Sequence, residues 1–304
     1  MEGEKMDKYI VSDLIMETSD VFSLKKTATD SDALYSEERV GSATVCRLNI
    51  KNDEQARKHK CKVGYHVTVY TPEILLIGER ERRMLSEILA REIRGAVCMA
   101  LNTEEIENKR FLVAGIGNRR ITSDAVGSMT VDKISVTRHV EKISPRDFER
   151  MRVASVCSVN CGVLGETGVE ALEILRGVTQ GCSPDCVIAV DALAARDTSR
   201  LASTFQISDS GISPGAGIGS GQSVIDKNTL GVPVIAIGVP TVISAATLIL
   251  TALKEMDGAV INESTERIIK EKRNFFVAPK ECDLICDAVS EILALAIDSA
   301  LGVI

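Results

Sequence analysis

Three short runs limit what this chain can fold into: F-L-V-A-G-I-G at 111–117, C-V-I-A-V-D at 186–191 and P-V-I-A-I-G-V at 233–239. A strand that hides one face alternates apolar with polar residues, whereas these are apolar at successive positions and must be covered on both faces. Amphipathic stretches separate them. From Glu79 the period becomes helical, with Met84, Leu85, Ile88, Leu89, Ile93 and Val97 on one side. A second helix is expected from about Ser123, with Ser123 or Asp124 as its N-cap, and a third in E-T-G-V-E-A-L-E-I-L-R-G-V from Glu166. A terminal helix over 281–301 groups Leu284, Ile285, Val289, Ile292, Leu293 and Ala296. Buried strands alternating with helices predict an α/β fold, a mostly parallel sheet covered by helices on both faces.

Upstream the pattern changes. Residues 1 to about 40 are polar and mixed in charge, and read as a loosely attached leader. S-A-T-V-C-R-L-N-I and Y-H-V-T-V-Y alternate and read as two strands, joined hairpin-fashion by the charged run Lys51 to Lys62. The expected organisation is one elaborated α/β domain over 12–304, with an added N-terminal β excursion at about 41–78, a core at about 79–256 and the terminal helix. The apolar stretch Val232 to Leu253 is broken by Pro233, Gly238, Pro240, Thr241 and Ser244, so it reads as strand, turn and helix, and no membrane span is expected. Met1 to Asp20 has no apolar signal core, so secretion is not expected.

Charge and composition exclude further classes. With 36 basic and 43 acidic residues the net charge is −7, and the cluster Arg80, Arg82, Arg83, Arg91, Arg94 is interleaved with Glu79, Glu81, Glu87 and Glu92. No direct nucleic-acid binding is expected, and without Trp there is little aromatic surface for base stacking. Nine scattered cysteines fit reduced thiols of a cytoplasmic compartment. Cys157/Cys161, Cys182/Cys186 and Cys282/Cys286 share an i, i+4 spacing at the loose end of zinc-ligand spacing, yet Cys186 opens an apolar strand and Cys282/Cys286 suit a buried helix face.

The reactive site of an open α/β sheet lies beyond the C-terminal ends of its strands. Asp191 terminates such a strand, and Asp124 follows another by one loop. Two carboxylates at one sheet edge cannot both ionise easily, so they can divide the work of activating a water and protonating a leaving amine. Asp124 also has a plain structural reading as a helix cap. G-I-G-N at 115–118 and G-A-G-I-G-S-G at 215–221 lack the G-x-G-x-x-G order, and no cofactor is expected. A Ser/His or Cys/His enzyme would need a base from His59, His66 or His139; of these only His139 lies among core segments, where it is read as closing a helix.

At this point several motifs, in one order, resemble a known family. They are G-I-G-N-R-R-I-T-S-D-A-V-G from Gly115, V-T-R-H at 136–139, G-V-L-G-E-T-G-V-E at 162–170, V-I-A-V-D-A-L-A-A-R at 187–196, Q-I-S-D-S-G-I-S-P-G-A-G-I-G at 206–219 and G-V-P-V-I-A-I-G-V-P-T-V at 231–242. Together they resemble the germination proteases of spore-forming bacteria, relatives of the hydrogenase-maturation peptidases. The resemblance implies a hydrogenase-maturation-peptidase or phosphorylase-like core and an aspartate-dependent endopeptidase with Asp124 and Asp191 as its catalytic pair. Gly117, Asn118, Arg138, His139, Glu166 and Asp209 become candidates for holding substrate or supporting the pair. It further implies small acid-soluble spore proteins as substrates, a homotetramer, a location in the forespore or spore-core cytoplasm, and synthesis as an inactive precursor. Y-I-V-S-D-L-I-M-E from Tyr9 resembles the family's processing region, giving a propeptide of residues 1–11 cut at Val11–Ser12. Arg119, Arg120, Ser123 and Ser244 depart from the family pattern. Two other readings compete: a metal-triggered peptidase with Asp124, Asp191 and His139 as ligands, and a non-enzymatic binding protein on the same fold.

Overall fold

A computed structural model describes residues 12–18, 34–107, 109–215, 223–256, 262–272 and 274–304. Among these residues nine strands form one sheet: β1 (Tyr35–Val40), β2 (Ala43–Ile50), β3 (Gly64–Tyr70), β4 (Arg110–Ile116), β5 (Ser155–Gly162), β6 (Cys186–Ala195), β7 (Thr204–Ser208), β8 (Val234–Ser244) and β9 (Phe276–Val277). They run in the order β1-β2-β3-β7-β8-β6-β4-β5, with β9 added against β8. The three runs read from the sequence are β4, β6 and β8, and with β5 they form the parallel half. The rest is antiparallel, since β7 returns against β8 and β3, β2 and β1 extend the same sheet. The alternating strands of the N-terminal excursion are therefore continuous with the core, and a short helix, Asp53–His59, lies in the connection between β2 and β3.

Burial explains the division into faces. On one, Phe111, Val113, Ile188, Val190, Phe205, Ile207, Ile235 and Ile237 pack beneath α1 (Glu79–Leu101), α2 (Val126–Lys133) and a long C-terminal helix, Cys282–Ala300. On the other, Leu112, Ala114, Val187, Ala189, Val234 and Ala236 pack with α3 (Ala171–Cys182) and with Leu14. A fully buried Leu or Ile side chain contributes about 1.5–3 kcal/mol, so these two faces supply most of the drive to fold. An ion pair ties β2 to α1: Arg47 donates from Nε and Nη2 to Glu92 at 2.7 and 2.6 Å, and Glu92 is only 4% exposed.

Several local readings need correction. Asp191 does not terminate its strand, because β6 runs on to Ala195. β8 likewise continues through Pro240 and Thr241 to Ser244, and a helix begins at Ala245 with no turn between them. Leu284 is 58% exposed, because the buried stripe of the C-terminal helix runs through Ile285, Val289, Ile292, Leu293 and Ala296, one residue out of phase with it. The helix expected from Ser123 begins at Val126, after a tight turn over Thr122–Asp124, and neither Ser123 nor Asp124 caps it. The helix expected from Glu166 starts at Ala171, after a four-residue turn ending at Gly168. His139 lies in the first turn of a six-residue helix, Arg138–Ile143, rather than closing one. The leader reading fails at both of its described stretches: residues 12–18 are tied to β6 and β7 with Leu14 buried, and the charged run Y-S-E-E-R-V at 35–40 is edge strand β1. Residues 1–11 and 19–33 lie outside the described residues. All nine cysteines are free thiols.

Candidate active site

The sheet register lays out the site's floor. Asp191 on β6, Gly238 on β8 and Gln206 on β7 stand in one row, and the next row toward β3 contains Ala236, Ser208 and His66. Side chains two apart share a face, so Asp191 projects with Val187, Ala189 and Leu193 while Ile188 and Val190 point into the opposite core. Between Asp191 and Gln206 the floor consists only of Gly238 and Ala236, which leaves a trough. The resulting cleft encloses about 740 Å³. Its lining includes Asp13, Lys60, Lys62, Gly117, Asn118, Asp124, Asp191, Gln206, Ser208 and Ser210.

Asp124 reaches the same cleft from the turn after β4. That turn is held from three sides: Asp124 N–H donates to Ile121 O at 2.8 Å, Thr241 Oγ1 of β8 donates to Ser123 O at 2.5 Å, and the Cys286 thiol donates to Thr122 O at 3.2 Å. The Asn118 N–H donates to Asp124 Oδ2 at 2.6 Å, folding the loop around the carboxylate. Gly117 permits this. Its φ is +107°, and a Cβ there would sit 2.1 Å from the Asp124 carbonyl oxygen. Gly127 lets α2 press its backbone on β4 and β6, since a Cβ at that position would come within 2.3 Å of the carbonyls of Ile116 and Val190. Val190, next to Asp191, and Ile116, at the end of β4, are thereby held against one helix.

Burial sets the electrostatics. Asp191 is 4% exposed and its carboxyl is held well above the ordinary range, first by desolvation and then by the Asp124 charge, with Asp13 adding to the effect. A single Ala192 N–H, 2.9 Å from Oδ1, opposes the shift. Asp124 is half-buried and raised by desolvation, against which the Asn118 N–H works. Both groups move up, and Asp191 is the one with fuller burial and more negative neighbours.

A third carboxylate comes from the N-terminal segment. Asp13 N–H donates to Ala194 O and Ala194 N–H donates to Asp13 Oδ2, both at 2.9 Å. Glu17 accepts from Arg196 N at 2.7 Å and Asp197 N at 3.2 Å, and Ile15 N–H donates to Gln206 Oε1 at 2.7 Å. Ser12, which would begin the chain after a cut at Val11–Ser12, hydrogen-bonds Glu17. Val11 lies outside the described residues.

The remaining candidates are placed elsewhere. Asp209 spends its carboxylate on Tyr65 N at 2.7 Å, at the start of β3. Glu166 pairs with Arg120 at 3.4 Å, and Arg119 pairs with Asp132. His139 is exposed and Arg138 reaches toward Gly181 O at 3.5 Å, both outside the cleft lining. Ser244 is buried at the end of β8, its hydroxyl without a hydrogen-bond partner. Sequence reading missed Asp13, Gln206, Ser208 and Ser210. The alternation in T-F-Q-I-S, with Phe205 and Ile207 apolar and Gln206 and Ser208 polar, is the signal that would have found two of them.

Two desolvated carboxylates facing one cleft, Asp191 within β6 and Asp124 on the turn after β4, can activate a water and protonate a leaving group, which is the work of a hydrolytic α/β enzyme. The comparisons narrow this class. The sequence profile described as germination protease matches residues 11–266, and the chain belongs to that family of peptidases. The germination protease of Clostridium acetobutylicum is 35% identical, covering 95% of this chain and 94% of its own. That of Clostridium tetani is 33% identical over the same shares, and that of Bacillus subtilis 35% identical over 80% of this chain and 66% of its own. Among solved structures, the NiFe hydrogenase maturation protease HycI of Thermococcus kodakarensis aligns with 64% of this chain and 98% of its own at 18% identity and a TM-score of 0.31, too distant to define a site.

Proposed function

We propose that this chain is an aspartate-dependent endopeptidase that degrades small acid-soluble spore proteins during germination. The observation that carries the reading is that two desolvated carboxylates line one cleft, Asp191 the more deeply buried of them. Asp124, ionised and steadied by Asn118 N–H, takes a proton from a water as the water oxygen attacks the peptide carbonyl carbon. Asp191 gives its proton to the leaving nitrogen as the C–N bond breaks. The products are a carboxylic acid and an amine, and proton transfer from Asp124 to Asp191 restores the starting state. Each role contributes on the order of 10²–10⁴ in rate.

Membership of the family supports the finer reading of a homotetramer made as a precursor and cut at Val11–Ser12, acting in the spore-core cytoplasm. Among the described residues no helix is long and apolar enough to cross a membrane. The metal-triggered alternative is not favoured: His139 lies outside the cleft, and among the described residues no three His, Cys, Asp or Glu side chains converge to hold an ion. The test is incubation of the purified protein with acid-soluble spore proteins. Discrete fragments are expected from wild type and none from Asp124→Asn or Asp191→Asn; full activity in either variant would defeat the assignment. An N-terminus that remains Met1 in the active enzyme would defeat the processing step.

A further inference from the structure

A chain of three side chains in the cleft wall is not used by the peptidase chemistry. His66 of β3 faces Ser208 of β7 in the ladder and is 2% exposed. Its Nε2 is 2.9 Å from the Lys62 carbonyl, and its Nδ1 is 2.8 Å from Ser208 Oγ. A carbonyl oxygen only accepts, so Nε2 carries the ring proton. Burial holds the imidazole below its ordinary value, with the Lys62 charge acting in the same direction, while its bond to the Lys62 carbonyl and the Asp209 charge oppose them. In the neutral ring Nδ1 is an acceptor, and the Ser208 hydroxyl must donate to it. Ser208 then has no proton for Ser210, whose Oγ is 2.8 Å away, so Ser210 donates to Ser208. Ser210 N–H reaches the same oxygen at 3.1 Å. The hydroxyl proton of Ser210 is thus turned inward and both its lone pairs are left for the cleft, which Ser208 and Ser210 line.

We propose that the His66–Ser208–Ser210 chain fixes Ser210 as a hydrogen-bond acceptor for a main-chain N–H of the bound polypeptide, at a subsite away from the cleaved bond. The inference rests on the peptidase reading of the cleft. Register sets how far away the subsite is. Asp191 and Ser208 are separated by two strand spacings across the sheet and two residues along it, or about 12 Å, which an extended substrate covers in about three to four residues. Ser210 is the residue that touches substrate. Ser208 and His66 are positioning residues acting through it. Because a serine hydroxyl free to rotate would accept or donate equally, the buried imidazole gives the subsite its polarity, and a substrate carrying an N-methylated amide at that position is disfavoured.

The experiment uses the full chain and synthetic peptides spanning a cleavage site found in a digest of acid-soluble spore proteins, each N-methylated at one amide in turn. Wild type should lose about 3- to 10-fold in kcat/KM at one amide three to four residues from the cleaved bond, the worth of one hydrogen bond. In Ser210→Ala the unmodified peptide should lose the same factor, and N-methylation there should cost nothing more. His66→Asn, which keeps an acceptor for Ser208, should retain the wild-type penalty, whereas His66→Leu should erase it. Nitrogen-15 NMR of labelled histidine offers a readout that needs no catalysis, and the Nε2–H tautomer is expected for His66. An Nδ1–H tautomer, or equal N-methyl penalties in wild type and Ser210→Ala, overturns the proposal. Failure of wild type to cleave any peptide would instead strike the peptidase reading, and the NMR result would still decide the hydrogen-bond chain.

Discussion

Replacing Asp191 by Asn should separate catalysis from stability in opposite directions. Asparagine keeps an oxygen for the Ala192 N–H and nearly the same volume, so the trough is preserved. Peptide cleavage should fall by about 10²–10⁴, the ordinary worth of a general acid. Stability should change with pH in a direction fixed by linkage. The carboxyl is raised in the folded protein, so the native state binds the proton more tightly than the unfolded chain does. Wild-type stability from this group is therefore fully present below the unfolded value near 4 and declines as pH rises toward the folded value, by about 1.4 kcal/mol per pH unit while only the native state holds the proton. The variant has no such group. Its advantage over wild type in urea unfolding should widen from pH 4 upward and then level off above the folded value. Parallel stability profiles for the two proteins would refute the claim that burial and the neighbouring aspartates keep Asp191 protonated. Asp13→Asn should narrow the effect, since it removes one of the charges that raise Asp191.

Other outcomes follow from the same geometry. Gly117→Ala should abolish activity and lower stability by more than about 1 kcal/mol, read by melting and by fragment release, because its φ is positive and its Cβ would overlap the Asp124 carbonyl. Glu92→Gln should cost about 2 kcal/mol in chemical unfolding through the weakened Arg47 pair, with kcat unchanged, as the pair lies outside the cleft lining. Cleavage should survive strong chelation; its loss, restored by a divalent cation, would revive the metal-triggered reading. Arg120→Ala should leave stability within about 0.5 kcal/mol, since its pair with Glu166 is 84% exposed on the arginine side.

The parallel half of the fold was legible because β4, β6 and β8 are covered on both faces and so lack alternation. β2 and β3 were found by their alternation, and the strands that escaped notice, β1, β5, β7 and β9, have no long apolar run. β1 is a charged edge, and β7 turns Gln206 and Ser208 into the cleft while Phe205 and Ile207 face the core. Asp209 stood out chemically, yet a strand period of two assigns the cleft to its neighbours Ser208 and Ser210 and leaves Asp209 to bind Tyr65 N. Asp191 stood out after its apolar run, yet it is not the strand's end: β6 runs on to Ala195 and the residue is only 4% exposed. Asp124 was not, because an aspartate before a helix has the same sequence appearance whether it caps the helix or, as here, accepts from Asn118 upstream and faces a cavity. Asp13 could not be read at all: it reaches the site through pairing with Ala194, a contact spanning 181 positions.

That pairing closes a route by which polypeptides are often bound. Beyond the end of β4, strand β6 continues with no partner strand on that side among the described residues, and extended peptides commonly attach to such an edge as an extra strand. Here the N–H groups along it are taken by carboxylates in turn: Ala192 by Asp191, Ala194 by Asp13 and Arg196 by Glu17. A further strand laid along this edge would therefore find those N–H groups already occupied. Strand augmentation is blocked by the protein's own acids.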